Sequence, residues 1–393
     1  MNKIGFVTPW FGENIPGGAE AALRSITSKL KDTELDIEIL TTCVEKFTSD
    51  WNVNYYKPGE YVVNDILTRR FPVRKRDVQA FDAINAKFIH GEPVNEQEEK
   101  IFLREMVNSP ELYEYMDKHN DEYDLFVFIP YMFGTTYYGS KVCYEKAVHI
   151  PCAHEEPYIH MRAFKEMFEQ SKGMIYNALP EKILVDGLFD MSSVQECVAG
   201  LGMDTSISGN EDAFREKYRI TKPYILYAGR KDVGKNVDIL LSYFNEYKKR
   251  NLNDMELVMI GGGNINIPED VKSYVHDLGF VDIQDKYDAY AGALCLCQPS
   301  THESFSYVIM ESWLCERPVL VHEDCDVTKN FAIESQGGLY FKSFFDFEGC
   351  INYYISNKSV AHLMGTNGKS YVCRNFGWDK VVTKYLTIFE KCL

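Results

Sequence analysis

Tyr224-Ile225-Leu226-Tyr227-Ala228-Gly229-Arg230-Lys231-Asp232-Val233-Gly234-Lys235-Asn236 is the stretch on which the architecture turns. Its first five residues form an apolar run of the kind that makes a buried strand. Beyond it, Val237, Leu240, Leu241, Phe244 and Tyr247 recur at helical spacing. Strand, glycine-containing turn and helix therefore follow one another, the unit from which open parallel α/β sheets are built. The turn sets Arg230, Lys231 and Lys235 at the helix start, where the backbone carries roughly half a positive charge and each cation costs on the order of 0.3–1 kcal/mol. A bound anion reverses the sign of that effect. Arg230 and Lys235 read as a phosphate-binding pair, with a solvated basic turn as the alternative.

The same pattern extends in both directions. Downstream, strands are expected at Glu256–Ile260, Ala293–Gln298 and Val319–His322, with Gly261-Gly262-Gly263 after the first. Upstream they are expected at Ile4–Thr8, Ile37–Thr42, Leu125–Ile129, Val148–Pro151 and Met174–Tyr176. After Gly17-Gly18, residues Ala19, Ala22, Leu23, Ile26 and Leu30 fall near one face of a helix. The residues from Gly200 to Thr221 are rich in Gly, Ser, Asn, Asp and Thr and read as a linker. The long stretch from Glu45 to Asn120 reads as a mainly helical elaboration of the first half. Two doubly wound domains result, residues 1–205 and 206–377, as a chain of 393 residues leads one to expect.

A second pair of charges stands at Glu303 and Glu311, in Glu303-Ser304-Phe305-Ser306-Tyr307-Val308-Ile309-Met310-Glu311. Glu303 follows a strand of an open sheet, the usual ligand position, and the amides of Ser304, Phe305 and Ser306 at the next helix start are candidates to hold phosphate oxygens. Glu311 has Tyr307, Val308, Leu314 and Cys315 as helical neighbours. An ionised group in such surroundings needs donors, which the hydroxyls of a ribose or a basic side chain can supply.

Composition excludes several classes. With 58 acidic and 42 basic residues and a formal charge of -16, the chain repels a phosphate backbone, so no nucleic-acid partner is expected. The 11 cysteines show no Cys-x-x-Cys pair, and no zinc-ligand spacing appears. A reducing cytoplasm is the expected compartment, without an export signal or a spanning segment. Arg69, Arg70, Arg74, Lys75 and Arg76 form a basic patch that reads either as a solvated loop or as a contact for an anionic membrane or a lipid-linked acceptor. A metal held by His154, Glu155, Glu156 and His160 is disfavoured, since the spacing is not that of a zinc helix and the cationic turn removes the need for one.

Taken in order, Gly17-Gly18 after the first strand, Gly229-Arg230-x4-Lys235-Asn236 and Glu303-x7-Glu311 resemble the retaining glycosyltransferases of the GT-B fold, family four, over nearly the whole chain. The resemblance implies two Rossmann-like parallel-sheet domains facing each other across a cleft. The first takes the acceptor and the second a nucleotide sugar, and the C-terminal helix, residues 378–393, packs back on the first. It implies that Arg230 and Lys235 grip the diphosphate, Glu311 binds the ribose and Glu303 contacts the transferred sugar. Gly17 and Gly18 approach the donor or acceptor, and His154, in Ile150-Pro151-Cys152-Ala153-His154-Glu155, bonds a sugar hydroxyl. Val281, after Gly279-Phe280, stands where such enzymes meet the base through backbone groups, and uracil is the base expected on frequency. No cofactor or metal is implied. The acceptor is a glycan, a lipid-linked sugar or a glycoprotein, and the oligomeric state is open. A nucleotide-sugar epimerase and a non-catalytic glycan-binding subunit remain as alternatives. A nicotinamide enzyme is disfavoured, because Gly261-Gly262-Gly263 lacks the Gly-x-Gly-x-x-Gly spacing.

Overall fold

The computed structural model describes residues 2–393; Met1, with which the expected first domain begins, lies outside them. The chain divides into two compact units, one comprising Met1–Gly202 with Trp378–Leu393 and the other Met203–Gly377.

In the first unit, eight strands form one sheet: β1 (Lys3–Thr8), β2 (Asp36–Thr42), β3 (Gly59–Val63), β4 (Ile66–Phe71), β5 (Leu125–Phe128), β6 (Ala147–His149), β7 (Gly173–Tyr176) and β8 (Gln195–Val198). Their order is β3-β4-β2-β1-β5-β6-β7-β8. All neighbours are parallel except β3 and β4. The central strands are apolar on both faces because helices cover both sides of a parallel sheet; Ile4, Phe6, Val7, Phe126, Val127 and Phe128 are fully buried.

The stretch from Glu45 to Asn120 holds helices Val78–His90, Glu96–Glu105 and Pro110–Lys118, and also the β3–β4 hairpin, which the helical reading missed. Its turn is Asn64-Asp65, both at positive φ, 52° and 59°. That is the conformation of a two-residue hairpin turn, here without the glycine that usually marks it.

The helix Trp378–Cys392 packs on β7, β8 and the helix Gly18–Leu30. A Cβ on Gly173 of β7 would lie 2.6 Å from the Cys392 sulfur, so the strand is bare where the helix meets it.

In the second unit, β9 (Tyr224–Ala228), β10 (Glu256–Ile260), β11 (Val275–Gly279), β12 (Cys295–Gln298), β13 (Val319–His322) and β14 (Gly338–Phe341) form a wholly parallel sheet in the order β11-β10-β9-β12-β13-β14. The helix Val237–Arg250 buries Val237, Leu240, Leu241, Phe244 and Tyr247, the stripe read from the sequence. The stretch from Gly200 to Thr221 is not linker throughout. It contains the helix Glu211–Tyr218, capped by Asn210, whose side chain accepts from Ala213 N at 3.2 Å. One buried residue, Phe214, seats this helix, too little apolar material to show as periodicity.

Strand order places the site. Progress from β9 through β10 to β11 runs to one side, and β12 begins the other, so the order reverses between β9 and β12. In open α/β sheets ligands bind at such a reversal, beyond the carboxyl ends of the strands. In the first unit the corresponding reversal lies between β1 and β5.

Candidate functional site

Both charged motifs of the second unit stand at that reversal. Arg230 and Lys235 follow β9, and Glu303 follows β12. Lys235 Nζ donates to Glu303 Oε1 at 2.7 Å, across 68 residues of sequence. Gln298 Nε2, at the end of β12, donates to the same oxygen at 3.3 Å. Arg230 is exposed, and among the described residues its side chain reaches only Asp232, two residues on. Asp232 Oδ1 in turn accepts from Lys235 N at 3.1 Å and holds the turn closed.

The third cation behaves differently. Lys231 is 3% exposed and pairs with Asp277 of β11, so its charge is structural. Glycines let this turn nest against the one after β10. Gly229 N donates to Ile260 O at 2.9 Å and Lys231 N to Gly262 O at 2.7 Å. Gly261 has φ 123°, and a Cβ there would lie 2.0 Å from the Gly229 carbonyl oxygen. The triple glycine is thus a close contact between two loops.

The loop after β12 ends at Ser306, whose φ of 85° turns the chain into the helix Tyr307–Leu314. Phe305 anchors the turn, 2% exposed, with its ring 5.5 Å from that of Phe331 and 5.1 Å from that of Phe376. Its side chain is therefore part of the core, and only its backbone faces chemistry. Among the described residues, the N–H groups of Ser304, Phe305 and Ser306 donate no hydrogen bond within the chain. Ser306 Oγ is buried without a partner. Donors left unsatisfied at a helix start are what an anion requires.

Glu311, on that helix, is 8% exposed and already carries two donors. Lys286 Nζ reaches Oε1 at 2.7 Å and Tyr290 OH reaches Oε2 at 3.0 Å. The basic side chain that sequence reasoning allowed as its partner is present. Both partners lie on the helix Ile283–Gly292, which Val281 and Asp282 precede, and Val281 is half-buried.

The remaining residues belong to the first unit. Gly17 caps the helix after β1 at φ 141°, and a Cβ there would lie 1.9 Å from the Glu20 carboxylate, which accepts from Trp10 Nε1 at 2.6 Å. Gly17 and Gly18 are both exposed. His154, in the loop after β6, stands 3.3 Å from Glu156, whose other oxygen accepts from Tyr131 OH at 2.7 Å. His160 contacts Glu155 separately at 2.6 Å, so the four residues weighed as a metal site form two histidine–glutamate contacts. Glu181, 1% exposed, accepts from Ala153 N and Asn177 N, both at 2.6 Å, and fixes the loop that carries His154. Sequence reading missed Glu181, Gln298, Lys286 and Tyr290: Glu181, Lys286 and Tyr290 act through partners distant along the chain, and Gln298 closes the strand β12.

Burial pushes the Glu181 carboxyl up to about 8. Burial opposes charge on His154 as well, yet Glu156 beside it holds the imidazole above its ordinary value. A carboxyl raised on folding binds protons that the unfolded chain has released, so its contribution falls as pH rises through the interval between the two values. The His154 contribution is complete below the ordinary histidine value and is lost as pH rises through its raised one. Unfolding followed by tryptophan fluorescence, to which the first unit contributes Trp10, Trp51 and Trp378 and the second Trp313, is expected to show the first unit melting at lower temperature as pH goes from about 6.5 to about 8. Glu181→Gln should flatten that slope, and an unchanged slope would refute the assignment.

The Arg69–Arg76 patch is largely occupied. Arg69 pairs with Glu38 at 3.0 Å and with Glu60, Arg74 pairs with Glu105 at 2.7 Å, and Arg76 lies over the rings of Trp51 and Phe81. Arg70 is buried, and Lys75 is exposed. Among the described residues no helix is long and apolar enough to cross a membrane.

Comparison with known proteins agrees with this geometry. The family described as Glycosyl transferases group 1 matches residues 222–343, which span β9 to β14 and contain Arg230, Lys235, Glu303 and Glu311. No curated protein matches the chain in sequence. Among solved structures, sucrose-phosphate synthase of Thermosynechococcus elongatus superposes with a TM-score of 0.72 at 14% identity, over 100% of this chain and 99% of that one. Anabaena HepE in complex with UDP-glucose gives 0.68 at 15% identity, over 99% and 98%. WaaG, a glycosyltransferase involved in lipopolysaccharide biosynthesis, gives 0.64 at 14%, over 98% and 99%. The second unit thus carries a domain of the Glycosyl transferases group 1 family around the turn after β9, and the two parallel-sheet units have the GT-B fold.

Proposed function

We propose that the chain transfers a hexosyl or N-acetylhexosaminyl group from a UDP-sugar to a hydroxyl of a glycan, lipid-linked or protein acceptor, with retention of configuration and without a metal ion. The observation that carries this reading is the convergence of Lys235, Glu303 and the three undonated amides of Ser304, Phe305 and Ser306 at the strand-order reversal, with Arg230 exposed beside them. That HepE has been crystallised with UDP, with UDP and glucose, and with UDP-glucose supports the choice of nucleotide.

In this reading the diphosphate takes Lys235 from Glu303 and draws Arg230 from Asp232, and the loop amides complete its shell. Charge on the departing phosphate is neutralised by these fixed donors, usually the largest single term in such catalysis. The acceptor oxygen bonds to the anomeric carbon on the face from which the phosphate oxygen leaves. The carbon–phosphate oxygen bond breaks, and the acceptor proton passes to the departing phosphate. Glu311 receives the ribose hydroxyls within its Lys286 and Tyr290 frame, and the backbone at Val281 meets the base. Glu303, once released by Lys235, orients the sugar. His154, held by Glu156, bonds a sugar hydroxyl, and Gly17 and Gly18 leave room for close approach because neither carries a Cβ.

Glu303→Gln separates positioning from binding. UDP affinity should stay within a few-fold of wild type while transfer falls by roughly a hundredfold, the scale of a misoriented reacting group. Equal loss of both would make Glu303 part of the phosphate site instead. Donor consumed without acceptor, with an epimerised sugar as product, would overturn transfer itself.

A further inference from the structure

The first unit contains a cavity of about 380 Å³ lined by Gly12, Asn14, Glu45, Lys46, Tyr56 and Arg70, among others. It lies at the carboxyl ends of β1, β2 and β4, bounded by the loop that runs into Gly17-Gly18. One of its walls is unusual. Along β4 the burial alternates, with Ile66, Thr68 and Arg70 on the buried side and Leu67, Arg69 and Phe71 less so. A small or apolar residue would satisfy the sheet at position 70, as it does at 66 and 68. Arg70 sits there instead, 4% exposed.

Among the described residues its charge has no counter-ion. Arg70 Nη2 donates to Phe11 O at 2.7 Å, the Tyr56 ring lies 3.8 Å from the guanidinium carbon, and Nη1 is buried with no hydrogen-bond partner. The ionisable groups that act on it are the phenols of Tyr56 and Tyr61 and the thiol of Cys43, and burial depresses its pKa. Its neighbours Arg69 and Arg74, by contrast, each face a carboxylate. The carboxylates at the cavity are otherwise engaged or peripheral: Glu45 pairs with Lys46 at 3.3 Å and accepts from Ser49 at 2.8 Å, and Glu13 is exposed. A buried guanidinium without an anion is costly, and the cost falls when an anion enters beside it.

We propose that this cavity is an acceptor subsite for an anionic group, a phosphate or carboxylate carried on a sugar, with Arg70 as the charge that pairs with it. The proposal rests on the transferase reading and narrows its acceptors to acidic ones. Arginine suits either group, since its fork matches both phosphate and carboxylate oxygens.

The test is calorimetric titration of the full chain carrying Arg230→Ala and Lys235→Ala, so that the donor site does not compete for phosphate. The probes are glucose 6-phosphate, glucuronate, glucose and inorganic phosphate. Glucose 6-phosphate or glucuronate should bind more tightly than glucose and than inorganic phosphate, and whichever binds names the anion. Arg70→Met should weaken that binding by roughly tenfold or more, the scale of a lost charged hydrogen bond. Because Arg70 also holds Phe11, Asn14→Glu serves as a second variant. It puts a negative charge on an exposed residue of the cavity wall and should weaken binding several-fold without touching the core. Glucose or inorganic phosphate binding as well as the sugar anions, no binding of either sugar anion, or binding indifferent to both variants would overturn the proposal. A parallel titration of the wild-type chain with UDP reports on the donor reading separately: UDP bound without Arg70-dependent anion binding removes the subsite alone, and the reverse removes the donor reading alone.

Discussion

Replacing Arg230 and Lys235 together by alanine should lower turnover by at least two to three orders of magnitude, the loss that follows removal of even one preorganised donor from developing charge. The loss should fall on donor binding and on the chemical step together, because both side chains meet the diphosphate and the charge that grows on it as the sugar departs. Among the described residues, the exposed Arg230 pairs only within its own turn, and Lys235 contacts Glu303 alone among carboxylates. Neither supports the core, so circular dichroism and thermal unfolding should change little; an exposed pair such as Arg230–Asp232 contributes about 0–1 kcal/mol. Single-turnover transfer at one fixed donor concentration is the measurement. A double variant with normal turnover would remove the proposed catalytic role.

Gly261→Ala should be the most damaging single methyl group in the second unit. Gly261 adopts φ 123°, and its new Cβ would lie 2.0 Å from the Gly229 carbonyl oxygen, with backbone and no flexible side chain in its way. A non-glycine residue in such a conformation costs of order 1–3 kcal/mol before any clash is counted. The turn carrying Arg230 and Lys235 must move, so UDP affinity and the stability of the unit should fall together. Unfolding and UDP titration of the one variant check both. Gly349→Ala, where an added Cβ meets nothing within 4 Å, is the control and should leave both unchanged. Loss of stability with UDP binding intact would show that the loop contact does not position the cations.

Which features were legible follows from how far their causes lie along the chain. The strand, turn and helix from Tyr224 to Arg250 are local, and the burial of Val237, Leu240, Leu241, Phe244 and Tyr247 matches the stripe. The positions of Arg230, Lys235 and Glu303 were legible for the same reason, since each follows a strand at once. The fate of Lys231 was not. Its sequence neighbours put it with the other two cations, but Asp277, 46 residues on, takes its charge. Glu311 was legible as a carboxylate in need of donors, while the identity of those donors was not, because Lys286 lies on another helix. Two elements escaped through absent punctuation. Arg219 ends the helix Glu211–Tyr218 at φ 56° where a glycine is usual, and Asn64-Asp65 turns the hairpin without one.

We propose a nucleoside diphosphate site in the second unit held by Arg230 and Lys235. It is tested most directly by thermal unfolding in chelator with UDP, GDP, dTDP, CMP, ATP and NAD compared at one concentration. At about one hundred times its dissociation constant a ligand contributes about 2.7 kcal/mol. That should raise the midpoint by roughly 2–4 °C for units of this size. The expected result is a shift with UDP alone in wild type, abolished by Arg230→Ala with Lys235→Ala. No shift with any nucleoside diphosphate, a shift with NAD alone, or a UDP shift unchanged in the double variant would contradict it.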